Sequence, residues 1–264
     1  MIVKLIASDI DGTLLLGDER EISDKVITYI NKLYGRGVVF AAASGRQYSN
    51  LRNLFGPVKD KIAYICENGA LIKYNDKIIK KTPLDRKLGE ELLNDIYKVN
   101  GCEFLLSGED TSYIMPKSAT YKEHIENYVG NKVQVIEKYE DVKEDFIKIS
   151  VYCESGIEKH AKYFYDKWKD KVKTTVSGKC WLDFVAPNVD KGMALAVLKE
   201  YFGADYEETM CFGDNFNDIE MFDESYYSYA ISTSHKDIRA KAKFITSNVE
   251  SILFDVEMMY EWQK

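Results

Sequence analysis

At 264 residues, with 45% hydrophobic and 30% charged side chains, the chain has the makeup of a globular protein large enough for one big domain or two small ones. A formal charge of -7 argues against a general nucleic-acid or anionic-membrane surface. No charged leader opens it, and no segment approaches the ~18 apolar residues of a membrane span, so neither secretion nor insertion is expected. The five cysteines (Cys66, Cys102, Cys153, Cys180, Cys211) form no C-x-x-C pair and read as reduced, mostly buried residues of a cytoplasmic protein.

The apolar, β-branched run over residues 2–7 predicts a buried strand that ends at Asp9 and Asp11. On an extended backbone these two carboxylates point to the same side, and a divalent cation would offset their repulsion. A helix follows, capped by Ser23 and carrying Val26, Ile27, Ile30 and Leu33 on one face, with Gly35 and Gly37 to stop it. Val38 to Ala43 reads as the second strand. Ser44-Gly45-Arg46 then opens a helix through about Phe55, and Ile62 to Cys66 is a third strand. Residues 70–80 look like a hairpin turned at Asn75-Asp76.

From Pro83 the pattern changes. Amphipathic helices are expected at 84–99, 118–129 and 156–169. Strand-like runs lie at 102–106, 111–115, 132–136, 146–152, 172–176 and 180–185, which together suggest an antiparallel sheet backed by helices. The alternation of strand and helix resumes with a helix from Asp190 to Tyr201 and a strand at Thr209–Phe212 that runs into Gly213-Asp-Asn-Phe-Asn-Asp218. Tyr226–Ile231, Phe244–Thr246 and a helix from about 249 close it. The predicted domains are residues 1–82 with 187–264, interrupted by an inserted unit over 83–186.

Four clusters carry candidate chemistry, and each alone also fits a plainer role. Asp9-x-Asp11 could be a strand ending in a solvated turn. Ser44-Gly45-Arg46 supplies a hydroxyl, helix amides and close approach for a phosphate, or merely a helix cap. Lys191 stands in a first helical turn, where a cation is electrostatically out of place unless something anionic is near. Asp214, with Asn217 and Asp218 in the next turn, sits at a strand's carboxyl end, where open α/β sheets bind ligands. His124, His160 and His235 lack metal-ligand spacing.

In order and spacing these pieces resemble the four motifs of the haloacid dehalogenase superfamily. Glu67-Asn-Gly-Ala70 and the long insertion resemble its Cof-type phosphatases with a C2B cap. Ser44 stands where relatives often have Thr. The resemblance implies a Rossmann-like doubly wound parallel sheet with an inserted α+β cap that closes over the site. It implies Asp9 as nucleophile forming an aspartyl-phosphate, Asp11 as general acid and base, and Ser44, Gly45, Arg46, Lys191 and Asn217 on the phosphate. Magnesium is implied on Asp9, Asp214 and the backbone carbonyl of Asp11, with Asp218 acting through water or by holding Lys191. The expected partner is a small phosphorylated metabolite, on a monomer or weak homodimer that binds neither nucleic acid nor membrane. A phosphotransferase or phosphomutase would share these residues; a non-catalytic phospholigand sensor is the other alternative, and the Asp9–Asp11 pair argues against it because binding alone needs no second carboxylate. Tyr113, Lys117, Lys179 and Trp181 are the expected cap contacts.

Overall fold

The structure is a computed structural model and describes residues 3–262, so Ile2 of the expected first strand lies outside the described residues. The chain begins β1 (Leu5–Ser8), α1 (Asp24–Tyr34), β2 (Val39–Ala43), α2 (Tyr48–Asn53), β3 (Ala63–Cys66), β4 (Leu71–Tyr74) and β5 (Lys77–Lys81). Next come α3 (Arg86–Lys98), β6 (Glu103–Ser107), β7 (Ser112–Ile114), α4 (Ala119–Glu123), β8 (Val133–Val135), β9 (Lys148–Tyr152), α5 (Glu158–Trp168), β10 (Lys173–Gly178) and β11 (Trp181–Val185). The rest is α6 (Lys191–Phe202), β12 (Thr209–Gly213), α7 (Ile219–Asp223), β13 (Tyr227–Ile231), α8 (Lys236–Arg239), β14 (Phe244–Thr246) and α9 (Val249–Trp262).

The chain divides into two compact units. One comprises the residues up to Arg46, Leu51–Lys80 and those from Asp190; the other comprises Gln47–Asn50 and Lys81–Val189. The grouping of 47–50 with the inserted unit has no counterpart in the boundaries expected from sequence.

The first unit is a doubly wound α/β sheet in the order β14-β13-β12-β1-β2-β3-β4-β5. Its inner strands are parallel: β1 lies between β12 and β2, and β2 pairs with β3. Strands covered on both faces read as unbroken apolar runs, and small side chains such as Ala41, Ala43 and Ala63 let Leu195 and Leu198 of α6 pack into one core with them. The β4–β5 hairpin turns at Asn75 and Asp76, both at positive φ (50° and 58°), the double left-handed turn that matches strand twist. Ser23 caps α1 as expected, accepting the Val26 N–H at 3.2 Å.

The inserted unit is a six-stranded sheet, β10-β11-β9-β6-β7-β8. It departs from the expected all-antiparallel form at β7–β8, which pair in parallel. The short helical crossover of α4 and a π-helical turn over His124–Val129 between them forces that direction. Leu92, Leu93 and Ile96 of α3 and Phe164 and Trp168 of α5 cover one sheet face with Phe104, Leu106, Ile149 and Phe184. Among the described residues no helix is long and apolar enough to cross a membrane.

Candidate active site

Three neighbouring parallel strands end together. Asp9 follows β1, Ser44 follows β2, and Asp214 follows β12, which places all three at the carboxyl edge where such sheets collect ligands. Asp9 continues the ladder by one bond, its N–H to the Phe212 carbonyl at 3.0 Å, and is buried. The chain then reverses through residues 10–15, with Gly12 at φ +94°. Gly12 has a second reason to lack a side chain, since a Cβ there would stand 2.4 Å from Asp214 Oδ2.

That reversal corrects one expectation. Strand geometry ends at Ser8, and the two carboxylates lie in different settings, Asp9 buried and Asp11 exposed. The Asp11 side chain is 57% exposed and is clasped by Arg46, with Nε to Oδ2 at 2.9 Å and Nη2 to Oδ1 at 2.6 Å. The Asp11 carboxylate is therefore outside the buried acidic group, and Arg46, expected on the phosphate, holds Asp11.

The buried group has Lys191 at its centre. Its Nζ donates to Asp9 Oδ1 at 2.5 Å and to Asp218 Oδ1 at 2.7 Å, and the residue is 1% exposed. This explains a lysine at the start of α6: its charge answers two carboxylates rather than the helix dipole. Asp190 caps the helix instead, accepting the Met193 N–H at 2.7 Å. Gly192 lets α6 approach α7, because a Cβ there would meet the Glu220 carbonyl oxygen at 2.4 Å. Asp218 is fully buried and accepts the N–H groups of Asp214 and Asn215, each at 3.0 Å. Oxygens of Asp9, Asp214 and Asp218 lie within 4.8 Å of one another. Three carboxylates facing one ammonium leave excess negative charge, and hard oxygen donors in a tight group suit a divalent cation.

Burial raises the Asp9 carboxyl well above its ordinary range; Asp218 and Asp214 add to this, and Lys191 opposes it. Asp214 is likewise raised, chiefly by burial, against the hydrogen bond from Thr13. Burial alone would lower the Lys191 ammonium, but Asp218 and Asp9 outweigh it and the group is raised. Carboxyls raised on folding add stability that is full below the unfolded value of ~3.9 and is lost as pH climbs through the folded values. In excess chelator, thermal denaturation should show wild type losing stability relative to Asp9→Asn as pH rises above about 4. An unchanged difference across that range would contradict the assignment of strain to Asp9.

Ser44 does not begin a helix. Its Oγ accepts the Arg46 N–H at 3.2 Å and its carbonyl accepts the Asn68 N–H at 3.0 Å, which fixes 44–46 as a turn and delays α2 to Tyr48. The structure therefore supplies a hydroxyl and turn amides in place of the expected helix N-terminus. Two residues missed by the sequence reading stand here. Thr13 donates to Asp214 Oδ1 at 2.7 Å, and Asn68, at φ +56°, accepts from Asn217 Nδ2 at 3.3 Å and lies against Gly45. Asn68 belongs to the Glu67-Asn-Gly-Ala70 run noted above, and Thr13 stands two positions after Asp11. In the inserted unit, Tyr113 is hydrogen-bonded to Glu144, and Lys117 Nζ holds the carbonyls of Tyr97 and Val99 at 3.1 and 2.8 Å. Trp181 packs on Tyr152, and no contact among those described distinguishes Lys179 as a binding residue. The polar groups buried in that unit include Lys148, Asp183 and Ser150; Ser150 donates to Asp183 at 2.7 Å.

The chain is 24% identical over 256 residues to the 5-amino-6-(5-phospho-D-ribitylamino)uracil phosphatase YbjI of Escherichia coli, covering 96% of this chain and 94% of that one. A crystal structure from Eubacterium rectale matches with a TM-score of 0.85 at 29% identity, over 96% of this chain and 99% of the other. The subclass IIB sugar phosphatase BT4131 shares the fold, with a TM-score of 0.81 at 20% identity over 96% and 99% of the two chains. Residues 6–251 match the model of the haloacid dehalogenase-like hydrolases from the first aspartate run to the closing helix, and the chain belongs to that family.

Proposed function

We propose that the protein is a magnesium-dependent phosphatase that hydrolyses small phosphorylated metabolites through an aspartyl-phosphate on Asp9. The observation that carries this reading is the contrast between two carboxylates two positions apart. Asp9 is buried against Lys191, while Asp11 stands in solvent against Arg46. The first setting suits a nucleophile held in a dry, charged site; the second suits a group that exchanges protons with a leaving oxygen and with water.

In the proposed reaction an Asp9 oxygen attacks phosphorus, the bond to the ester oxygen breaks, and Asp11 gives that oxygen its proton. Asp11 then takes a proton from the water that attacks the phosphoryl-Asp9, releasing inorganic phosphate and restoring both side chains. Asp11 must first leave Arg46 and take up a proton from solvent, and solvent screening of this exposed pair eases the exchange. Lys191, the Ser44 hydroxyl and the Gly45 amide hold phosphoryl oxygens, and Asn217 stands beside them on Asn68. Asp9, Asp214 and Asp218 would hold magnesium, whose charge offsets that of the phosphoryl oxygens.

These groups treat every phosphomonoester alike, so the choice of leaving group falls to the inserted unit. The E. coli relative is named for a phosphoribityl compound, and its similarity along nearly the whole chain supports a small-metabolite substrate.

Phosphate release from p-nitrophenyl phosphate and from a panel of phosphorylated sugars, nucleotides and cofactor precursors tests this reading. Activity should vanish in chelator and return with magnesium but not with calcium, whose longer and looser bonds would misplace the reacting groups. Full activity in excess chelator would remove the metal, and no release from any ester would remove the phosphatase.

A further inference from the structure

A second group of side chains of metal-ligand type lies in the inserted unit, remote in sequence from Asp9, Lys191, Asp214 and Asp218. In the antiparallel β6–β9 pair, Glu103 stands opposite Tyr152. One step further along the same register, Cys102 faces Cys153, and their sulfurs are 2.7 Å apart. Both residues are fully buried, on the sheet face that α3 and α5 cover. His160, in the first turn of α5, brings a ring nitrogen to the same place, and the three donor atoms lie within 4.8 Å of one another. Cys180 is next along the row, its carbonyl accepting the Cys153 N–H at 2.9 Å, but its thiol is turned to the Glu154 carbonyl at 3.7 Å.

From this geometry we infer that Cys102, Cys153 and His160 form a site for a thiolate-seeking divalent cation of the zinc class. Two sulfurs and an imidazole are the donors that such ions select over the all-oxygen set favoured by magnesium. Binding releases the two thiol protons to solvent and leaves two thiolates around a doubly charged ion. The buried site is then electrically neutral, which is the condition for placing an ion in the apolar core that holds Phe104 and Phe164. Tetrahedral zinc–sulfur bonds of about 2.3 Å set the two sulfurs about 3.8 Å apart, so the pair opens by about 1 Å on binding. Asp9, Asp214 and Asp218 offer only carboxylate oxygens, so the two sites separate by metal preference. Sequence spacing hides the group because its members flank the ends of two strands and open a helix that only the fold brings together.

Titration of freshly reduced, metal-free protein with cobalt(II), followed by displacement with zinc(II), tests the site by a readout independent of phosphatase activity. One equivalent should develop the intense sulfur-to-cobalt charge-transfer band and the strong visible bands of a tetrahedral ion. Cobalt on the carboxylates gives no sulfur band. Cys153→Ser should abolish the charge-transfer band. His160→Gln alters a half-buried residue outside the strands and guards against misfolding of the cysteine variant. It should weaken cobalt binding at least about tenfold, since even outer-shell changes commonly cost 10–100-fold. Absence of the band in reduced wild type, or a band that both variants retain, would overturn the site. So would protein that isolates with Cys102 and Cys153 linked and takes up no cobalt once reduced, which would assign the pair to a disulfide.

Discussion

Replacing Asp9 with Asn should lower kcat by at least about a thousandfold, roughly 4 kcal/mol of transition-state stabilisation. The amide has the shape of the carboxylate but cannot form the acyl-phosphate, and it is a poor ligand for a hard cation. The fold should survive, because Lys191 keeps its bond to Asp218 and the Asp9 backbone keeps its bond to Phe212. Steady-state kinetics on the best substrate of the panel, with circular dichroism as a control on folding, gives the answer. Retention of more than about a tenth of wild-type kcat, a loss under ~1.4 kcal/mol, would exclude Asp9 as nucleophile.

Lys191→Met should damage both activity and stability. Methionine fills much of the volume but leaves Asp9 and Asp218 buried without their shared cation. Removing one partner of a buried ion pair costs about 3–5 kcal/mol. At the lower figure, a chain of this size should melt about 6–12 °C lower. The sign of the pH effect is fixed. Asp9 without its cation has its folded pKa moved further up, so it favours folding below the unfolded value of ~3.9 and opposes it as pH rises through the folded value. The gap to wild type should therefore narrow on acidification and widen toward neutrality. A variant that melts within about 1 °C of wild type at neutral pH would show that Lys191 is not the cation on which the acidic group depends.

Much of this site is legible in the sequence because a parallel sheet delivers strand ends to one edge. An apolar run followed at once by Asp9, Ser44 or Asp214 places each of those residues at that edge, without knowledge of their long-range partners. Lys191 was legible as an anomaly, a cation at a helix start, which the structure explains by Asp9 and Asp218. What was not legible depends on backbone direction and on contacts between distant segments. A two-residue period carries no information past the end of a strand, so it does not reveal that Asp9 is buried against Lys191 while Asp11 is exposed against Arg46. The helix expected at Ser44 starts later because the Ser44 side chain bonds the Arg46 amide within a turn, a local competition that propensity leaves undecided. Thr13 and Asn68 acquire meaning only from Asp214 and Asn217, 201 and 149 residues away. In the inserted unit the polar guesses were drawn from strand flanks, whereas the buried charged pair Lys148–Asp183 alternates with apolar residues inside β9 and β11.

The central claim is that Asp9 becomes phosphorylated during turnover. Enzyme mixed with its best substrate, quenched in acid within the first turnover and reduced with borohydride, should yield homoserine at position 9 by peptide mass mapping. Finding homoserine at a different carboxylate, or unmodified Asp9 after a full equivalent of phosphate has been released under the same quench, would contradict the account.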